Sequence, residues 1–321
     1  MPRPDTLAFR RINLAYNTVF KPHRLSVGLV VPIERYAQGP MPTMARHLER
    51  AQLAEELGFA AVWLRDVPFN VPSFGDAGQT YDPFVYLGLL AGQTTRIALG
   101  VASIILPLRH PAHVAKAAAT ADVLSGGRLL LGIASGDRPA EYPALNVPFA
   151  ERGARFRDSL AYIRSMADEA PTFENPFGHP GDGMDMAPKP TAGRLPLLIT
   201  GGSQQAPDWL AQHGDGRMVY PRPLPHQAAI VKDWHARVLA VQRYAKPVMQ
   251  PLYIDLVDDA DARPQPIHLG LRTGMRYLRT YLKSLETVGI NHVALNLRFN
   301  RADTEETLER LADELLPDFT T

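Results

Sequence analysis

Eight short apolar runs, each followed by a stretch of helical periodicity, limit what this chain can become. The runs occupy residues 25–33, 59–65, 96–106, 128–134, 195–202, 216–220, 247–257 and 290–297. They are nearly continuous in Val, Ile, Leu and Ala rather than alternating, as expected of parallel strands buried on both faces. The segments between them read as helices at 43–58, 83–94, 111–127, 151–170, 203–214, 226–244, 271–289 and 304–319. Thr43 is expected to cap the first of these, and acids in the first turn mark the last. Eight such units predict an α/β fold, a (β/α)8 TIM barrel, with one domain over 25–321 and insertions at its C-terminal face. Residues 1–24 are set apart as an N-terminal arm, and 171–195, rich in Pro, Gly and Asp, as an insertion. A doubly wound open sheet is the competing architecture. The glycine fingerprint it carries after its first strand is absent here, where that strand ends Pro32-Ile33-Glu34.

Bulk properties narrow the function. A formal net charge of +1 across 321 residues gives no electrostatic case for nucleic acid or an acidic membrane surface. No run approaches the roughly 18 apolar residues of a membrane span, and the basic N-terminus lacks an apolar signal core. A cytoplasmic location is therefore expected. The chain has no cysteine, which excludes disulfides, thiolate nucleophiles and Cys-bound metals. The histidines form no H-x-x-x-H or H-E-x-x-H pair, and neither a nucleophile elbow nor a Walker loop is present, so no metal is expected.

In a barrel of this kind chemistry sits at the C-terminal ends of the strands. The fourth run stops abruptly at Ser135, Gly136 and Asp137. Small residues there let a ligand approach the backbone; the alternative is a plain turn capped by Asp137. Gly201, Gly202 and Ser203 lead from the fifth run toward a helix. That pattern fits either an anion held on backbone N–H groups or a helix cap by Ser203 with no ligand. Ala102 and Ser103 are small enough for a ligand to lie flat on the third strand, and His110 before Pro111 reads as a helix-start residue rather than a base. The 17-residue stretch "DVPFNVPSFGDAGQTYD", 66–82, is long for an unstructured connection and is expected to act as a lid or binding loop. Arg65 and Asp66 either pair with each other or supply a catalytic acid.

The stretches "RHPAHVAKAAATADVLSGGRLLLGIASGD", "PFAERGARFRDSL" and "PLLITGGSQQAPDWLAQHGDG" resemble the bacterial luciferase-like flavin-dependent oxidoreductases, with similarity from Leu25 to Phe319. The resemblance implies FMN at the C-terminal mouth of the barrel. It also implies monooxygenase chemistry on a small organic substrate, using O2 and reduced FMN delivered by an NAD(P)H-dependent flavin reductase. By motif, Gly201, Gly202 and Ser203 would hold the FMN phosphate. Ala102–Ser103 would carry a non-proline cis peptide under the ring. Ser135, Gly136 and Asp137 would touch the flavin, with Tyr220 and Pro32 flanking it. Asp66 and Glu141 are the candidate proton donors. Two departures stand out. Asp66-Val67-Pro68 replaces the Glu-His-His of luciferases proper, and Ser135 replaces a phosphate-gripping arginine, a role Arg109, Arg138 or Arg222 would have to assume. A deazaflavin-dependent reductase, a non-catalytic flavin-binding barrel and an unrelated sugar-phosphate barrel remain open alternatives. The resemblance also implies a homodimer.

Overall fold

The computed structural model describes residues 8–39 and 41–319; the first seven residues of the N-terminal arm and the last two of the chain lie outside the described residues. Among the described residues ten strands form: β1 (Ser26–Val30), β2 (Ala61–Leu64), β3 (Ala98–Ile105), β4 (Leu129–Ala134), β5 (Leu197–Thr200), β6 (Gly216–Met218), β7 (Val248–Leu256), β8 (Gln265–Ile267), β9 (Gly270–Thr273) and β10 (His292–Asn296). Strands β1 to β7 pair in sequence order, and β10 pairs with both β7 and β1, which closes an eight-stranded parallel barrel. The helices are α1 (Leu14–Val19), α2 (His47–Glu56), α3 (Pro83–Gln93), α4 (Pro111–Leu124), α5 (Glu141–Ala144), α6 (Arg152–Ser165), α7 (Pro207–His213), α8 (Leu224–Val241), α9 (Met275–Thr287) and α10 (Thr304–Glu314). Their apolar faces and the outward side of the strands make the larger core. No helix among the described residues is long and apolar enough to cross a membrane.

The barrel interior is filled by a few large side chains seated over glycines. A Cβ at Gly100 would lie 2.2 Å from the Trp63 ring, and one at Gly132 would lie 2.6 Å from Met218 Sδ. Gly28 makes the same room for His292. The Trp63 indole N–H donates to His292 Nε2 at 2.8 Å, which leaves the imidazole proton on Nδ1. Nδ1 then donates to Ser26 Oγ at 2.7 Å, and Ser26 donates to the Val19 carbonyl at 2.8 Å. Burial pushes the His292 pKa down to about 3, so the ring is neutral and the relay is fully paired.

Helix α1 closes the N-terminal end of the barrel. Ile12, Tyr16, Val19 and Phe20 pack beneath Trp63, Leu130, Leu198 and Met249 in a second apolar cluster. Polar anchors fix it there: Asn13 donates to the Leu129 carbonyl at 2.7 Å and to Asp122 at 2.8 Å, and the Tyr16 hydroxyl to the Asp215 carbonyl at 2.7 Å.

Two local expectations are corrected. The first long helix starts at His47, not Thr43, and Arg46 precedes it in the left-handed region without a side-chain cap. Thr43 is drawn away because its amide donates to Glu34 at 2.8 Å, while its hydroxyl accepts from Ala45 N. Residues 271–273, expected to be helical, belong to β9, which pairs with the second half of β7 and with β8 as a small hairpin outside the barrel. Gly270 permits this, since a Cβ there would lie 1.9 Å from the Tyr253 carbonyl oxygen.

Candidate active site

The tips of β3, β4 and β5 converge at the C-terminal mouth. The β3–β4 register shifts between Val101 and Ile104, and the Ala102–Ser103 peptide within that irregularity is cis, where the resemblance implied one. The Ser103 hydroxyl is hydrogen-bonded to that of Thr200, and Thr200 Oγ1 lies 3.1 Å from Met218 Sδ. On β4 the Ser135 amide donates to Ser203 Oγ at 3.3 Å, and the Tyr142 hydroxyl donates to the Ser135 carbonyl. Gly136 has φ +76°, and a Cβ there would lie 2.7 Å from both Ile105 and the Tyr142 hydroxyl. The abrupt stop of the fourth run is thereby explained: neither the dihedral nor the space admits a side chain. Asp137 is exposed at the rim.

The turn after β5 differs from the expected direct entry into a helix. Helix α7 begins only at Pro207, behind Ala206, which provides no side-chain cap. Ser203 therefore does not cap it; its hydroxyl instead donates to the Thr200 carbonyl at 2.8 Å. Gly201, Ser203 and Gln204 take φ values of +57°, +41° and +60°, which curl the backbone into a nest. The Gly201 amide is spent on the Met218 carbonyl at 2.9 Å. The amides of Gly202, Ser203 and Gln204 meet no acceptor among the described residues. A Cβ on Gly201 or Gly202 would touch nothing within 4 Å, so the space beside the nest is open.

The charged groups of the mouth pair differently from the sequence expectation. Arg65 and Asp66 do not pair with each other. Asp66 is gripped by Arg109, through Nε at 3.0 Å and Nη2 at 2.7 Å, and accepts the Ile105 amide at 3.1 Å. With both oxygens engaged it holds the β2 and β3 tips together and does not stand free as a base. Arg109 is further held by Asp82 at 2.8 Å, so it is not free to grip a phosphate. Arg222 is exposed. His110 caps α4, as its place before Pro111 suggested. Pro32, after a cis Val31–Pro32 bond, is buried beside β1, and Tyr220 is 45% exposed beyond β6.

Arg65 turns instead to Asp76, which anchors the long loop. Asp76 accepts from Arg65 Nη1 at 2.7 Å, Tyr36 Oη at 3.1 Å, the Gly78 amide at 2.9 Å and Tyr253 Oη at 3.3 Å. Arg298 Nη1 lies 3.2 Å from it. Burial works to raise the Asp76 carboxyl, but Arg65, the Gly78 amide and Arg298 outweigh it and hold the group below its usual range. This hub escaped the sequence reading. Its one local signal was Asp76-Ala77-Gly78, the spacing of an Asx turn.

Glu141 opens α5 and is 3% exposed. Its Oε1 lies 3.8 Å from Arg138 Nη1, beyond hydrogen-bonding range, and both atoms are buried without a hydrogen-bond partner. Burial raises the Glu141 pKa to about 7; Arg138 works against this rise, and Asp66 and Asp137 add to it. The mouth thus holds a carboxyl poised near neutrality, slim strand tips and a nest of unspent amides. That donor set fits a flat ring with an anionic tail, with Gly202, Ser203 and Gln204 as the tail's holders.

A parallel barrel with such a mouth defines a class, the (β/α)8 barrels that carry an anion-binding nest at the C-terminal ends of their strands. Comparison with known proteins makes this specific: the profile of the luciferase-like monooxygenases matches residues 25–313, and the chain belongs to that family. An uncharacterized Mycobacterium tuberculosis protein is 31% identical over 189 residues, 54% of this chain; the chain spans 66% of that relative's length. The 4-hydroxyprotoasukamycin monooxygenase of Streptomyces nodosus is 25% identical over 90% of this chain and 77% of its own. An F420-dependent glucose-6-phosphate dehydrogenase of Kineococcus radiotolerans is 30% identical over 60% of this chain and 55% of its own. Among solved structures, the oxygenating component of 3,6-diketocamphane monooxygenase from Pseudomonas putida, in complex with FMN, superposes with a TM-score of 0.74. It is 14% identical and covers 92% of this chain and 99% of its own.

Proposed function

We propose that this protein is an FMN-dependent monooxygenase that uses reduced FMN and O2 to oxygenate a small organic substrate. The nest at 202–204 carries the reading: three free amides beside open space suit a single terminal phosphate. Bound reduced flavin supplies the electrons for oxygen activation. The chain's own part is to grip the phosphate with these amides, to seat the ring against the backbone at Ala102–Ser103 and Ser135–Gly136, and to exclude water with the 66–82 loop. Glu141 is assigned to hold a proton at its buried carboxyl and release it toward the reacting oxygen. Asp66 positions the strand tips through Arg109. An NAD(P)H-dependent flavin reductase and a second copy of the chain are the partners this reading carries.

Separate titrations of the purified chain with FMN and with F420, followed by absorption and fluorescence, test it. FMN is expected to bind, and oxygen uptake is expected with reduced FMN over a panel of aldehydes and ketones. Gly202→Asp places a like charge in the nest and should weaken FMN binding about tenfold or more. Binding of F420 in preference to FMN would replace the reading with a deazaflavin reductase, and cofactor binding without turnover would leave a flavin-binding barrel.

A further inference from the structure

Three guanidinium groups, from Arg65, Arg138 and Arg298, gather about the 72–79 turn, and two buried carboxyls face them: Asp76 at Arg65 and Arg298, and Glu141, whose Oε1 lies 3.8 Å from Arg138 Nη1. Arg65 and Arg298 reach the Asp76 side chain, while Arg138 Nη2 reaches only the Asp76 backbone carbonyl, at 3.1 Å. Arg298 also donates to the carbonyls of Gly75 at 2.6 Å and Gly39 at 3.3 Å. Two guanidinium nitrogens, Arg138 Nη1 and Arg298 Nε, remain buried without a hydrogen-bond partner. The Arg138 side chain is only 9% exposed. Arg109 does not add to this surplus, because Asp66 and Asp82 already hold it. Asp137 stands at the exposed rim. Buried cationic donors left unpaired are costly, and they are normally retained where an anion completes them.

The Arg298 guanidinium is flanked by the Tyr36 and Phe299 rings at 5.0 and 5.2 Å, whereas the cover over Arg138 is slight. The Phe74 ring lies 4.6 Å from the Arg138 guanidinium, as a lid of one aromatic side chain that is itself 42% exposed. Tyr81, on the same loop, is also exposed but packs edge-on against His47 and Tyr86, so Phe74 is the apolar side chain that faces the arginines. A cationic floor beneath an apolar flap suits an amphiphile with an anionic head.

We infer that Arg138 and Arg298 receive the carboxylate of the substrate, whose apolar body lies along Phe74. The inference deepens the proposed monooxygenase reading by naming the substrate class as an apolar carboxylic acid. The same arginines could take an anion from either of two sources, the substrate carboxylate or the cofactor phosphate, and the test separates them.

Calorimetric titrations of octanoate, octan-1-ol, FMN and inorganic phosphate are run on the full chain, and the first two are repeated in saturating FMN. Octanoate is expected to bind about tenfold or more tightly than octan-1-ol, the size of a buried charge-assisted pair. Arg138→Gln and Arg298→Gln should each remove that preference while leaving FMN affinity unchanged, and Arg138→Lys should retain part of it. A circular dichroism melt checks folding; should one glutamine variant misfold, the other and Arg138→Lys carry the test. Octanoate binding no tighter than octan-1-ol, or a preference that survives both glutamine variants, overturns the inference. Loss of FMN and phosphate binding with octanoate unaffected overturns it too, by giving the arginines to the cofactor. If octanoate shows the expected arginine dependence but FMN does not bind, the substrate assignment stands and the cofactor reading falls.

Discussion

At Glu141 the balance of forces is unusual for a carboxyl beside an arginine. Arg138 is near enough to lower its pKa, but 3.8 Å without a hydrogen bond leaves burial in control, and the value settles near 7. Asp66 and Asp137 face it with charge of the same sign and strengthen the effect. Below about pH 7 the group therefore carries a proton it can donate. The sign fixes two outcomes. Turnover that needs the proton should fall as pH rises through about 7, and Glu141→Gln should lose about 10²–10⁴-fold in rate with that inflection gone. Because the folded-state pKa is raised, the wild-type chain should also lose stability as pH climbs from 4.5, the ordinary glutamate value, to about 7, whereas Glu141→Gln should not. Rate–pH profiles and melts of both proteins check this, and an unchanged profile in the variant would remove Glu141 from proton transfer. The charge on Asp66 cannot take over, since Arg109 and the Ile105 amide already occupy its oxygens.

The 66–82 loop, regular only in one 3-10 turn at Pro72–Phe74, shows how a largely irregular element can still be held in one place. Its length suggested a lid, and the structure gives the middle of it a deep anchor in Asp76, whose partners come from four other segments. Asp76→Asn keeps the shape but removes the charge facing Arg65 and Arg298. Breaking a buried pair costs roughly 3–5 kcal/mol; with the Arg65 side chain 22% exposed, about 2–3 kcal/mol is expected here. The loss should be local. Hydrogen exchange and proteolysis should quicken within the loop, with a smaller fall in melting temperature. Exchange in the loop no faster than in the wild type would show that the turn is held by its apolar contacts instead. Such an anchor was not legible in the sequence, because the Tyr253 partner of Asp76 lies 177 residues away and only the closed barrel brings it near. The Asx spacing at Asp76-Ala77-Gly78 marks a turn but says nothing of what it turns toward.

At the scale of the molecule, what was legible follows from burial. Barrel strands are covered on both faces, so their sequences are continuous apolar runs that can be counted directly, and eight were found. Strands β8 and β9 lie outside the barrel and are mostly half-exposed; "GLRT" therefore carried no strand signal and was absorbed into the following helix. The small tips at Ala102, Ser135 and Gly201 could be read because their size is the message, whereas the pairing of Arg65, Asp66 and Arg109 is set by three dimensions. The part of the chain set apart as an arm bears on the whole in a way its composition hid. Ile12, Tyr16, Val19 and Phe20 are all buried under the barrel floor. At about 1.5–3 kcal/mol for each large apolar side chain, an upper figure, their burial is of the same order as the roughly 5–15 kcal/mol that holds a typical domain folded. Removing residues 1–24 would also strip the Val19 carbonyl from Ser26, cut the Trp63–His292 relay short and bare Leu130 and Met249 to water. The truncated chain is therefore expected to lose its cooperative thermal transition and to bind no FMN. A truncated protein melting within a few degrees of the full chain would show that the barrel closes its own floor.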